Sequence, residues 1–253
     1  MTLRERVRAG RPVAGAMVFE FFTPGMPRLL SLAGAEFAIY DMEHGAAGLE
    51  TLKTLAAASV GLPAVPMARV PRGERVWISR ALDVGMRGIM VPMVESAEAA
   101  AEAVEALRYP PEGRRGAAFG FAHDGYAPGA PAGKMRAADA GNLLILQIES
   151  ERGLEALDAI AATPGVDALW LGHFDLSAFL GVPGDFEAPV YREAVDAIVA
   201  AAKRNGLGLG VMAADAAWAA AHRDLGFNMI AVGTDQGLFL NAAGALLREV
   251  SAE

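Results

Sequence analysis

Eight short apolar runs recur along the chain, each followed by a helix-like stretch. They occupy residues 13–19, 37–40, 64–68, 88–94, 143–148, 168–171, 207–212 and 229–232. The runs are nearly continuous rather than alternating, which marks strands covered on both faces, as in parallel sheets. Between them lie Ala-rich stretches with helical period, among them 48–59, 96–107, 151–162, 190–203 and 215–225. Strands alternating with helices imply βαβ units. Eight repeats in 253 residues predict one α/β domain over residues 1–253, a (β/α)8 TIM barrel in preference to an open doubly wound sheet.

A chain of this size buries a large core without cross-links. The 29 glycines and many alanines suit close packing of helices on a sheet. Cysteine is absent, which excludes disulfides and thiolate metal sites and makes the cytoplasm the expected compartment. The net charge is −8, with Lys and Arg scattered, which argues against nucleic acid or an anionic membrane as partner. Residues 1–6 read as a short helix with no apolar segment behind it, and no apolar run approaches the roughly 20 residues of a membrane span. Residues 110–140 follow the fourth strand and break the rhythm; an insertion of that length reads as a functional loop.

In barrels of this kind catalytic groups project from the C-terminal strand ends. The second run leads into Asp41-Met42-Glu43-His44-Gly45, the third ends at Arg69, the fifth in Gln147-Ile148-Glu149, the sixth in Gly172-His173-Phe174-Asp175, and the eighth in Gly233-Thr234-Asp235. A charge directly after a buried strand is costly unless paired or liganded. Glu149 and Asp175, from adjacent strands, are the metal candidates: two carboxylates with positions left for water and ligand suit Mg²⁺ or Mn²⁺, with Co²⁺ as a further candidate. Helix capping is the alternative for each acid. Arg69 offers a fixed positive charge for a developing oxyanion, or a structural ion pair. His44 is the candidate general base, with Asp41 orienting its turn; a loop histidine bonded to backbone is the alternative. His222 falls in a helical stretch and is expected at the surface. His123 lies in the long loop with no assigned role, and His173 flanks Asp175 with its direction open. The lysines are Lys53, Lys134 and Lys203; none ends a strand, so an aldolase built on this chain would use a metal rather than an imine. The glycines of 206–210 lie at a strand start and suit close packing. Residues 233–237 suit a phosphate, a carboxylate or the cap of the last helix.

Asp41-Met42-Glu43-His44-Gly45, Ala68-Arg69-Val70, Gly88-Ile89-Met90-Val91-Pro92, residues 109–116, Gln147-Ile148-Glu149 and Asp175-Leu176-Ser177 together resemble the HpcH/HpaI aldolases. These are class II pyruvate aldolases, including 4-hydroxy-2-oxo-heptane-1,7-dioate aldolase and 2-dehydro-3-deoxyglucarate aldolase. The resemblance runs in order through essentially the whole chain. It implies that Glu149 and Asp175 hold the divalent metal, that Gln147 and the backbone at Phe174 contact a bound 2-oxo acid, and that Arg69 stabilises the enolate-like transition state. It implies that His44 is the base and that Asp83 raises its basicity across a subunit contact. The residues alone make Asp83 a helix-end residue. The resemblance also implies a last helix exchanged between protomers and a homohexamer. Many members carry Gly-Pro-Ala-Asp-Leu-Ser where this chain has Gly172-His173-Phe174-Asp175-Leu176-Ser177, so the bulkier pair bears on which donor and aldehyde fit.

The expected activity is reversible cleavage of a 4-hydroxy-2-oxo acid to pyruvate or hydroxypyruvate and an aldehyde. Three rivals are distinguishable. A CoA-thioester lyase of the citrate lyase β or malyl-CoA lyase type would depend on CoA. A metal-assisted 2-oxo acid decarboxylase would release carbon dioxide without aldehyde. A non-catalytic barrel would bind ligand without metal.

Overall fold

The apolar runs become parallel strands: β1 (Val13–Val18), β2 (Phe37–Asp41), β3 (Val65–Arg69), β4 (Gly88–Val91), β5 (Leu143–Ile148), β6 (Ala168–Leu171), β7 (Gly208–Met212) and β8 (Met229–Thr234). Each pairs with the next and β8 closes on β1, so the sheet has no free edge. Helices lie between successive strands, and the fold is the expected TIM barrel. The computed structural model describes residues 1–251.

Strand alternation decides what fills the barrel. Phe37 and Ile39 of β2, Met67 of β3, Met90 of β4, Leu143 and Ile145 of β5, Trp170 of β6 and Met229 and Ala231 of β8 form one inner cluster. Intervening residues such as Ala38, Tyr40, Ala68, Ile89, Leu144 and Leu169 belong to the outer cluster beneath the helices. The inner series, continued by twos, carries Asp41, Arg69, Gln147 and Glu149 to the C-terminal mouth. On β7 the inner position is Gly210, where a Cβ would lie 2.0 Å from the Trp170 ring. The glycine run there makes room for a neighbouring side chain.

The opposite end of the barrel is tied by Asp167, which is fully buried. Its carboxylate accepts from Arg4 Nε at 2.8 Å, Arg108 Nη2 at 2.9 Å and the Leu144 backbone N–H at 2.9 Å.

The fold sharpens several expectations and corrects the one for His222. Residues 110–140 come after helix Ala97–Leu107, which has already carried the chain from the mouth to the N-terminal end, so they do not cover this chain's own mouth. They hold a short turn, Ala122–Asp124, and most of helix Pro131–Gly141. The stretch 151–162 is two helices, Glu151–Glu155 and Leu157–Ala161, separated at Ala156. His222 is buried rather than exposed: helix Ala216–Leu225 turns it inward with Ala219, its Nδ1 lies 2.9 Å from the Trp218 carbonyl oxygen, and its ring packs edge-on to Phe227. His123 is also buried, with Nε2 2.8 Å from the Ala118 carbonyl oxygen.

Residues 233–237 resolve as a cap and a tether. The Thr234 hydroxyl accepts from the Gly237 N–H at 3.1 Å. The Asp235 carboxylate accepts from the backbone N–H groups of Phe19, Glu20 and Phe21 at 2.8, 3.2 and 2.6 Å. This fixes the start of the last helix, Asp235–Ser251, to the end of β1. Beyond that anchor the helix leaves Phe239, Leu240, Leu246, Leu247 and Val250 exposed. Among the described residues no helix is long and apolar enough to cross a membrane.

Asp167 lies far from the mouth, so its loss reports on the fold alone. Asp167→Ala should cost about 3–5 kcal/mol in denaturant unfolding, the usual effect of stranding buried cations. A cost under about 1 kcal/mol would show that the N-terminal end is held by packing instead.

Candidate active site

The site is organised by one buried ion pair. Asp41 and Arg69 are opposite each other in the β2–β3 register, and the Arg69 Nε donates to Asp41 Oδ1 at 2.5 Å. Asp41 is fully buried and Arg69 nearly so. The other Asp41 oxygen accepts from the backbone N–H groups of His44 and Gly45 at 2.7 and 2.9 Å. One carboxylate thus fixes both the guanidinium and the turn carrying His44. The His44 side chain is 61% exposed, on the rim and open to whatever enters.

Glu43 belongs to the same group, although the sequence reading passed over it. Its Oε2 lies 3.2 Å from Arg69 Nη1 and 3.8 Å from His44 Nε2. Burial raises its pKa; Arg69 opposes the shift, while Asp41 and Asp175 add to it. Strand alternation from Asp41 would have placed Glu43 on the same face as its neighbour.

Glu149 lies deeper, 2% exposed. Its Oε1 accepts from the Met93 N–H at 2.7 Å and its Oε2 from the Gln147 amide. Burial pushes its pKa up to about 7; those two hydrogen bonds oppose the shift, and the Glu43 and Asp175 charges add to it. Two backbone features make the position possible. Met93 adopts φ 51°, a left-handed conformation that costs a non-glycine residue about 1–2 kcal/mol, with its N–H given to the carboxylate. Gly172 leaves space: a Cβ there would lie 2.3 Å from Glu149 Oε2. Neither feature has a signature in the amino-acid pattern.

Asp175 is exposed in the first turn of helix His173–Phe179. With Arg69, Gln147, His44 and the 173–174 pair it lines a cavity of about 370 Å³ at the mouth. Two buried atoms here lack a partner among the described residues: Arg69 Nη2 and Gln147 Oε1. Buried polar atoms are rarely left so, and a charged guanidinium N–H with an amide oxygen suits a ligand bearing both acceptor and donor. His173 is buried and wedged against Phe174, Phe186 and Trp218, with ring centroids 4.4, 5.4 and 4.9 Å away. Burial, then the neighbouring His222, lowers its pKa to about 4, so it is neutral at physiological pH.

Asp83 is not part of this assembly within one chain. It ends helix Arg75–Asp83, which runs from the mouth to the N-terminal end, and its carboxylate accepts from Arg115 Nη2 at 2.7 Å. Among the described residues no group of three or more His, Cys, Asp or Glu is arranged to hold a metal ion.

Residues 17–242 match the family described as HpcH/HpaI aldolase/citrate lyase. The hydroxypyruvate/pyruvate aldolase of Paraburkholderia phytofirmans is 38% identical over 98% of this chain and 96% of its own. The 5-keto-4-deoxy-D-glucarate aldolase of Klebsiella pneumoniae subsp. pneumoniae is 37% identical over 88% of this chain and 86% of its own. Among solved structures, an HpcH/HpaI aldolase from Desulfitobacterium hafniense superposes with a TM-score of 0.94 at 30% identity, covering 100% of this chain and 98% of that one. The barrel, the grouped carboxylates and these likenesses agree: the chain is a carbon–carbon lyase and belongs to the HpcH/HpaI aldolase/citrate lyase family.

Proposed function

We propose that the protein reversibly cleaves 4-hydroxy-2-oxo acids to pyruvate or hydroxypyruvate and an aldehyde, with a divalent cation, Mg²⁺ or Mn²⁺, held by Glu149 and Asp175. The observation that carries this reading is the pair of unpartnered buried atoms, Arg69 Nη2 and Gln147 Oε1, in residues that share one cavity with Asp175. The names of the two curated relatives support the 2-oxo acid and aldolase parts of the reading.

The residues fit a cation. Burial raises the proton affinity of Glu149 and Glu43, and the Asp175 charge adds to both shifts, as expected where carboxylates share a site that lacks positive charge. Two carboxylate ligands leave positions for water and for the oxygens of a 2-oxo acid. When bound, the cation supplies Lewis acidity that polarises the 2-oxo group.

The remaining work falls to the chain's own side chains. Gln147 and the backbone at Phe174 orient the 2-oxo acid. His44, on the rim, takes the proton from the C4 hydroxyl. As that oxygen becomes the aldehyde carbonyl, the C3–C4 bond breaks and its electron pair moves toward C2 and its oxygen. Arg69 meets the developing negative charge with an N–H that has no partner among the described residues, so little reorganisation is needed. Asp41 keeps Arg69 and the His44 turn in place. A proton delivered to C3 completes pyruvate.

Asp83 can raise the basicity of His44 only if a second copy brings it to the mouth. The exposed apolar residues of helix Asp235–Ser251 support such association, since large unpartnered apolar surface is unusual on a monomer. We therefore read the last helix as packing on another copy within a homo-oligomer, the hexamer being the expected form.

The test of the reaction is pyruvate release from a panel of 4-hydroxy-2-oxo acids, after EDTA treatment and with metal added back. Release should be lost with EDTA, return with Mg²⁺ or Mn²⁺, and fall at least about a thousandfold in Glu149→Ala, a loss of about 4 kcal/mol in transition-state stabilisation. Release that survives both treatments would overturn the metal-dependent reading. The association is tested by sedimentation velocity on wild type and Leu246→Lys/Val250→Lys. The wild type should sediment as an oligomer and the variant should dissociate; a monomeric wild type would remove the role given to Asp83.

A further inference from the structure

A second cavity of about 370 Å³ adjoins the catalytic one, bounded by the loops after β7 and β8. The two share His173, Phe174, Met212 and Thr234. The 2-oxo acid end of the substrate is accounted for by Arg69, Gln147 and the carboxylates, which leaves the group beyond the aldehyde carbon to be placed. The adjoining cavity is the space into which that group can extend.

Its walls have a definite chemistry. Phe174, Phe186 and Trp218 surround His173, with Phe186 5.6 Å from Phe174 and 5.8 Å from Trp218 between ring centroids. Val232 adds an apolar surface, and no Lys or Arg is among the lining residues. Among the described residues the one carboxylate there, Asp215, accepts from the Trp218 backbone N–H at 2.7 Å. In the catalytic cavity the one cationic side chain among the lining Lys and Arg is Arg69, already paired with Asp41 and Glu43. An anionic substituent in the second cavity would therefore leave water for walls with no cationic Lys or Arg side chain and with Asp215 repelling it. An aromatic or aliphatic substituent would bury its surface against rings.

We propose that this second cavity is the acceptor pocket and selects aldehydes with an uncharged aromatic or apolar substituent over aldehydes carrying a carboxylate. The proposal rests on the aldolase reading and specifies its substrate class. Trp218 and Phe186 act as specificity-determining walls, touching the acceptor's substituent rather than the reacting carbon. The lining residues Gly237 and Leu238 directly follow Asp235, whose carboxylate anchors the start of the last helix to the end of β1.

The experiment is aldol addition of pyruvate, with Mg²⁺ present, to 4-methylbenzaldehyde, 4-carboxybenzaldehyde and acetaldehyde. Wild type should show kcat/KM for the methyl compound at least about tenfold above the carboxylate compound, a modest discrimination for an apolar pocket. The ratio of 4-methylbenzaldehyde to acetaldehyde should fall about tenfold in Trp218→Ala. Phe186→Leu, a milder change, should lower the same ratio about threefold if Trp218→Ala does not fold. Asp215→Asn keeps the helix cap and should improve the carboxylate compound alone. A parallel measurement, exchange of the pyruvate C3 protons for deuterium by wild type and metal, needs no aldehyde. Exchange with equal use of the methyl and carboxylate compounds would overturn the pocket assignment and leave the aldolase reading intact. Absence of exchange would overturn both.

Discussion

The Asp41–Arg69 pair is the constraint on which the mouth of this barrel depends. The β2–β3 register sets the two residues opposite one another, and burial makes each need the other. Asp41 then has oxygen capacity left for the backbone of 43–45, which turns His44 outward to the rim. Arg69 has nitrogen capacity left for Glu43 and, through Nη2, for a ligand. A positive charge held by two carboxylates cannot swing away, so it meets negative charge that develops during reaction without first being ordered.

A second device places Glu149. A carboxylate at 2% exposure needs donors, and it obtains them from a left-handed Met93 and from Gln147. Gly172 supplies the space. The arrangement still leaves the acid with a pKa raised to about 7, first by burial and then by the Glu43 and Asp175 charges, a desolvated carboxylate with a shortage of positive charge around it. A bound cation would relieve that shortage, as local strain and desolvation at functional sites are commonly offset by what binds there.

Much of this was readable in the sequence because strand period and site position are the same fact. Asp41, Arg69, Gln147 and Glu149 continue the inward series that begins with Phe37, Met67 and Leu143, so finding the strands also found the mouth. By the same logic, the lack of a strand-end lysine points an aldolase on this chain toward a metal rather than an imine. What escaped depended on three-dimensional path rather than period. Residues 110–140 read as a functional loop without an address, because only the helix before them, which carries the chain to the other end, sets where they lie. Asp83 carries no cue to a role beyond its helix end, because such a role needs a second copy. His222 sits on an Ala-rich helix whose apolar face is too broad to show which side a single polar residue takes. Met93 and Gly172 matter through backbone geometry, which composition does not encode.

The central claim, that Glu149 and Asp175 together hold a divalent cation that recruits a 2-oxo acid, is most directly tested by calorimetric titration of Mn²⁺ into wild type, Glu149→Gln and Asp175→Asn. The titration is run with and without pyruvate at about pH 8 and about pH 6. The account predicts binding by wild type that tightens with pyruvate, and at least about a hundredfold loss in either variant, typical for removal of a metal ligand. It also predicts about a tenfold weakening of wild type at the lower pH, because below about 7 the cation must displace the Glu149 proton. Equal Mn²⁺ affinity in all three proteins, indifferent to pyruvate and to pH, would contradict it.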